Sequence, residues 1–112
     1  MIEIIVMDHL KAQLSIDEVY MEVPDKPPKK FIVIEKTGSK RTDYINSATI
    51  AVQSYDETLY KAAQFNEIVK NAMFRLVENN SIGKIALETD YNFTDTSMKR
   101  YRYQAVFDIT HY

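Results

Sequence analysis

His9 and His111 are the only two histidines of this 112-residue chain, and they stand near opposite ends of it. A histidine metal site draws on paired imidazoles at HxxxH or HxH spacing, or on a His with a carboxylate one turn away. Neither spacing occurs, so His9 reads as a helix-surface residue and His111 as a sheet-edge residue. Acid–base work needs two carboxyl groups whose surroundings push their pKa values apart. Glu88 with Asp90, or Asp90 with Asp95, could supply such a pair, but strand alternation puts Glu88 and Asp90 on a solvated face. There is no cysteine and no GxSxG elbow, and the serines fall mostly in turns, so nucleophilic catalysis lacks its parts. Only two glycines are present, too few for a phosphate-cradling loop. No enzyme, cofactor or metal is expected.

The basic stretches are "KPPKK" (26–30), "KTGSKR" (36–41) and "KRYRY" (99–103). The last interleaves Arg100 and Arg102 with Tyr101 and Tyr103, as single-strand nucleic-acid surfaces do. Alternation places the rings toward a core and the guanidiniums toward solvent, on opposite faces, and separates what a stacking surface must combine. The formal charge of −2, from 14 basic and 16 acidic residues, also lacks the basic excess of a nucleic-acid reader. No apolar run is long enough for a membrane span, and "MIEIIVMDHLKAQL" carries Glu3 and Asp8 where a signal peptide would be basic and then apolar. A soluble domain made in the cytoplasm is expected, with neither nucleic acid nor membrane as partner.

The elements that position these residues follow from periodicity. Ile2, Ile5, Val6 and Leu10 recur at helical spacing and predict a helix over 2–14. "EVYMEV" (18–23) alternates as a strand. All three prolines then follow at 24, 27 and 28, a stiff extended elbow that can be neither helix nor central strand. "FIVIEKT" (31–37), apolar on both sides, predicts a strand near the sheet centre. A polar connection (38–43), with Gly38 in positive φ, leads to a return strand (44–54) whose even positions Tyr44, Ala48, Ile50 and Val52 share a face.

"SYDE" (54–57) matches a capping box opening a helix over 55–79, closed by Asn79 and Asn80 in the left-handed region. Its stripe, including Val69, Met73 and Leu76, is expected to pack on Val33, Ile50 and Phe107. Two strands of about ten residues finish the chain, longer than usual. In one, Ile85, Leu87, Tyr91 and Phe93 share a face; in the other, Tyr101, Tyr103, Ala105, Phe107 and Ile109 do. The connection 94–99 joins them. Residues 1–112 thus form one α+β domain, order αβββαββ: a mainly antiparallel sheet of about five strands with helices on one face.

The order "VYMEVPDKPPKKFIVIEKTG", "ATIAVQSYDETLYKAAQFNEIVKNAMFRL" and "DTSMKRYRYQAVFDI" resembles the tail terminator (minor tail) proteins of long-tailed bacteriophages and prophages. The matching residues are Pro27 and Pro28 with Lys29 or Lys30, Phe31 to Gly38, Ala48 to Val52, Ser54 to Ala63, and Arg100 to Tyr103. The resemblance runs from about residue 18 onward. It implies a structural protein of the virion, at the tail–head junction, assembled in the host cytoplasm. Such proteins form a ring, often a hexamer, that ends tail-tube polymerisation and meets the head connector. The partners implied are therefore other copies of the chain, the tail tube protein and a head-closure protein. The candidate interface residues are Pro24, Pro27, Pro28, Lys29 and Lys30 on the elbow, Lys40 and Arg41 before the return strand, and Asp95, Lys99, Arg100 and Arg102 about the last connection. Two alternatives remain open: a head-completion or other neck-ring protein, and a small-molecule-binding domain with a pocket lined by Tyr91, Tyr101 and Tyr103.

Overall fold

In the computed structural model, residues 1–97 and 100–112 are described, and their strands form a single five-stranded sheet. Helix α1 (Ile2–Leu14) leads into a two-residue strand β1 (Val19–Tyr20), then β2 (Phe31–Thr42) and β3 (Ile45–Asp56). Helix α2 (Leu59–Phe74) continues as a 3-10 turn (Arg75–Glu78), and β4 (Ile82–Asn92) and β5 (Tyr101–His111) close the chain. The α+β class and the order αβββαββ are as the periodicity predicts. The spatial order is β1-β2-β3-β5-β4. All neighbours are antiparallel except β1 with β2.

Both helices cover one face. Val6 and Leu10 of α1, Val69 and Met73 of α2 and Leu76 of the 3-10 turn are buried on Ile32, Ile34, Ile50, Val52, Phe107 and Ile109. The Nε2–H of His9 donates to the Ala72 carbonyl at 2.7 Å and so ties α1 to α2. His9 is therefore a half-buried interhelical link rather than a surface residue.

Several expectations are corrected. Strands β3 and β5, not β2, are the long strands paired along both edges, because β1 covers β2 only at Ile32 and Val33. The apolar run 31–34 is buried on both sides all the same. Ile32 and Ile34 join the helix-side core, while Phe31 and Val33 pack with Tyr55 on the opposite face. Val33 thus does not meet α2. The prolines serve the return from β1: a parallel neighbour requires the chain to loop back, which residues 21–30 do without regular structure.

Gly38 lies within β2, beside a bulge between Lys36 and Gly38, and does not have positive φ. The reversal is made by Asp43 (φ 50) and Tyr44 (φ 69), a two-residue turn with both central residues left-handed. The capping box does not form. β3 runs on to Asp56, Ser54 is a fully buried strand residue, and Thr58 caps α2 instead by accepting from the Lys61 amide at 3.1 Å. Asn79 has extended backbone, and its side chain accepts from the Ser81 amide at 2.8 Å.

Leu76 is completely buried beneath the 3-10 turn. Leu76→Ala should lower unfolding free energy in urea by about 2–5 kcal/mol, through lost transfer energy and the cavity left behind. An unchanged midpoint and slope would contradict this packing.

Candidate functional site

Strand register divides the predicted interface residues between the two ends of the sheet. Phe31 pairs with Tyr55 and Tyr55 with Arg102, so the elbow and the β4–β5 connection share one end. Asn46 pairs with His111 and His111 with Ile82, so the β2–β3 turn lies at the other. Lys40 and Arg41 are exposed strand residues near that turn, not loop residues. Pro24, Pro27 and Pro28 are half-buried, whereas Lys29 and Lys30 are exposed. Lys99 lies outside the described residues.

At the elbow end, Lys30 places its Nζ 4.5 Å from the centre of the Phe65 ring, a cation over an aromatic face. Asp95 and Arg100 form an isolated antiparallel bridge, exchanging backbone hydrogen bonds of 3.3 Å. The Asp95 carboxylate accepts from the Ser97 amide and hydroxyl at 3.1 and 2.6 Å, which shapes the turn. Thr94 repeats that pattern one step earlier, its amide and hydroxyl donating to Asn92.

Arg102 departs from the expectation of a solvated guanidinium. Its charge centre sits 4.4 Å from the Phe93 ring centre and 5.6 Å from that of Tyr55. Its Nε donates to the Phe93 carbonyl and its Nη1 to the Tyr55 hydroxyl, both at 2.6 Å. The Tyr55 hydroxyl in turn donates to Gln53 Oε1 at 3.3 Å, Gln53 Nε2 donates to Gln104 Oε1 at 2.8 Å, and Gln104 Nε2 donates to the Tyr91 hydroxyl. The Phe31 and Tyr55 rings stack at 4.3 Å beneath this chain of bonds. Arg102 therefore pins the β4–β5 connection to β3 through its Nε and one Nη1 donor. Sequence reasoning missed this ladder, although two glutamines at central positions of strands, Gln53 and Gln104, are a readable sign of a buried polar pair.

A bulge between Leu87 and Thr89 accounts for the other misplacements. Before it, Ile85 and Leu87 pack toward the helices, as alternation predicts. The extra residue shifts the phase. Asp90 pairs with Ala105 and faces α2, while Tyr91 pairs with Gln104 and faces away. Tyr91 is thus on the opposite face from Tyr101 and Tyr103, and the three do not line one pocket. Asp90, expected in solvent, accepts from Lys70 Nζ at 2.8 Å and from Asn66 Nδ2 at 2.9 Å. The Lys70 bond holds the Asp90 carboxyl below its ordinary range, helped by Asn66 and opposed by partial burial. Asp90 first, then Glu67, raise the Lys70 ammonium in turn.

Glu88, at the bulge, comes to Asp108 of β5 rather than Asp90. A hydrogen bond between the two carboxyl groups raises the Glu88 pKa. Asp108 also accepts from the Thr49 hydroxyl at 3.0 Å. Beside this pair lies a hollow of about 390 Å³ lined by Lys40, Ser47, Thr49, Asp108 and Thr110 among others. At the turn end, Lys36 Nζ lies 3.6 Å from the buried Glu3 carboxylate, and burial lowers the pKa of nearby His111. Among the described residues no group of three or more His, Asp or Glu side chains is placed to hold a metal ion. No helix there is long and apolar enough to cross a membrane.

No protein-family model matches the chain, and no curated protein matches it.

Two variants test these side-chain roles. Arg102→Ala should cost about 2–3 kcal/mol of stability, from charge-assisted hydrogen bonds and ring contacts together. Arg102→Lys should recover only part, because an ammonium cannot reproduce the planar fork. Full stability in either variant by urea unfolding would remove the clamp. Asp90→Asn should cost about 1–3 kcal/mol at neutral pH. Because folding lowers the Asp90 pKa, its contribution is present above the unfolded value, 3.8, and is lost as pH falls through the folded value. The gap between wild type and Asp90→Asn should therefore close in acid. A gap that is constant from neutral pH into acid would exclude the ionised pair as its source.

Proposed function

We propose that this chain is a structural subunit of a phage tail, forming a ring that caps the tail tube, ends its polymerisation and offers the surface to which the head connector joins. The observation that carries this reading is the order of motifs through Pro27–Pro28, Phe31–Gly38, Ser54–Ala63 and Arg100–Tyr103, which resembles the tail terminator family over most of the chain. The structure supports the subunit part of the proposal by what it leaves exposed.

The β2–β3 hairpin presents Tyr44, 84% exposed, at its tip. A tyrosine in left-handed backbone costs about 1–2 kcal/mol relative to a residue that tolerates it, and at that exposure its ring contact in the fold is the Arg41 guanidinium, 5.8 Å from its centre. Such a residue has its use in a contact outside the chain. Ile45 beside it is 43% exposed, and Lys40 and Arg41 flank the tip with positive charge. At the opposite end the elbow carries Met21 and Val23, both more than two-fifths exposed, next to Lys29 and Lys30. Mixed apolar and charged surfaces at both ends of an elongated body, 44 Å along its longest axis, suit contacts with different partners at its two ends. Tube protein at one end and head connector at the other is the assignment we favour.

Deleting the gene from the phage or prophage should give tails of uncontrolled length that do not join heads, while heads still fill with DNA. Electron microscopy of the lysate reads this directly. Normal tails on full heads would end the proposal. Normal free tails beside heads that fail to retain DNA would move the protein to head completion.

A further inference from the structure

The sheet has two long edges without a strand partner among the described residues. One is β4, paired only with β5; the other is β2 beyond Val33, where β1 has stopped. Unpaired backbone donors and acceptors over this length form a template for another strand. Residues Glu35 to Thr42 of β2 are exposed without exception, and no strand among the described residues pairs with that edge.

The two edges are matched to each other. β4 runs antiparallel to β5, β5 to β3 and β3 to β2, so β4 and β2 run in opposite senses. A second copy laid alongside in the same orientation therefore sets β4 against the neighbour's β2 as an antiparallel pair, with both sets of helices on one side. Charge agrees with this pairing. The free stretch of β2 carries Lys36, Lys40 and Arg41 against Glu35, whereas β4 carries Glu88 and Asp90 against Lys84. Lys36 and Asp90 already have partners in Glu3 and Lys70, and Arg41 lies over the Tyr44 ring, which leaves Lys40 to act across the contact on the paired carboxyl groups of Glu88 and Asp108.

Glu88 and Lys40 also share a face. Lys40 pairs with Ser47 and Ser47 with Thr110, on the same side of β5 as Asp108, toward which Glu88 leans. In the single chain Glu88 and Asp108 set two carboxyl groups together at the β4 edge. A lysine supplied by the next copy would balance them.

We propose that copies of this chain associate edge to edge, β4 of one pairing antiparallel with residues 35–42 of β2 in the next, staggered by about four residues so that Glu88 rather than the level Lys84 stands opposite Lys40 and sets the register. Because the contact joins two different surfaces, each copy keeps one free edge for another, and the series closes when the rotation per copy divides a full turn. The inference rests on the ring reading above and names the surface that would close it. Bulges in both edges twist them away from flat pairing and favour a strand of matched shape over an arbitrary one.

The test uses the full chain, which has no native cysteine to interfere. A variant carrying both Lys40→Cys and Glu88→Cys should give, on mild oxidation, a ladder of disulfide-linked multimers ending at the ring size. Either single-cysteine variant should stop at a dimer. Lys40→Glu or Glu88→Lys should weaken assembly roughly tenfold per contact, read by native mass spectrometry across a concentration series, and the double swap should restore most of it. Circular dichroism and melting confirm that each variant is folded. A wild-type chain that stays monomeric, together with a double-cysteine variant that gives no ladder, overturns the edge contact. Rings that form without a ladder and ignore charge reversal also overturn it, while tail capping stands. A ladder from a protein whose loss leaves phage tails normal would keep the edge contact and remove the capping role.

Discussion

The pairing of β3 with β5 is the constraint on which the rest of this structure depends. It runs without interruption from Asn46–His111 to Asp56–Tyr101. On the helix side it brings Ile50 beside Phe107 and Val52 beside Ala105, the floor on which both helices rest. On the other side it brings Gln53 beside Gln104 and Tyr55 beside Arg102, and the polar ladder follows from those adjacencies. One register thus sets both an apolar core and a network of side-chain hydrogen bonds. A slip of one residue would exchange the faces and bury arginine under the helices.

The same pairing explains what could and could not be read along the chain. Helix α1 was legible because Ile2, Val6 and Leu10 declare its period locally, and β5 because its alternation is unbroken. The start of α2 was not. Ser54-x-x-Glu57 is a sound local cap, worth about 1 kcal/mol, but Ser54 sits between Ile32 and Tyr103 in a ladder bonded on both sides. Continuing that ladder outweighs one cap, and Thr58, four residues on, takes the role. Buried Ser54 is left with a hydroxyl that has no hydrogen-bond partner among the described residues, a cost the core tolerates around it. Sheet order was illegible for a related reason: the run 31–34 looks central, but how much of β2 is an edge depends on β1 ending after two residues.

The bulge at Glu88 shows how a single residue redistributes chemistry. Alternation alone would place Asp90 in solvent and Tyr91 under the helices. One inserted residue exchanges them, so Asp90 reaches Lys70 and Asn66 while Tyr91 reaches Gln104. Nothing in "IALETDYN" announces the insertion, because the apolar positions on either side fit an unbroken strand equally well. The candidate interface was legible in part. The exposed charge of Lys29, Lys30, Lys40 and Arg41 is where the sequence puts it, but Arg102 is partly committed to the fold, and Tyr44, expected on the apolar face of the return strand, is instead exposed in the turn before it.

That division of labour gives the open face and the edges different meanings. Arg102 commits its Nε and one Nη1 donor to Phe93 and Tyr55, so part of the guanidinium that the sequence places in solvent holds the end of the sheet together. The helix-covered face is spent on burial in the same way. What the fold does not spend is backbone hydrogen-bonding capacity along β4 and the outer half of β2, together with the unbalanced charges beside it. Folding has already ordered those strands, so pairing them with another chain carries little further conformational cost. Those edges and ends are the surfaces that the proposed contacts would use.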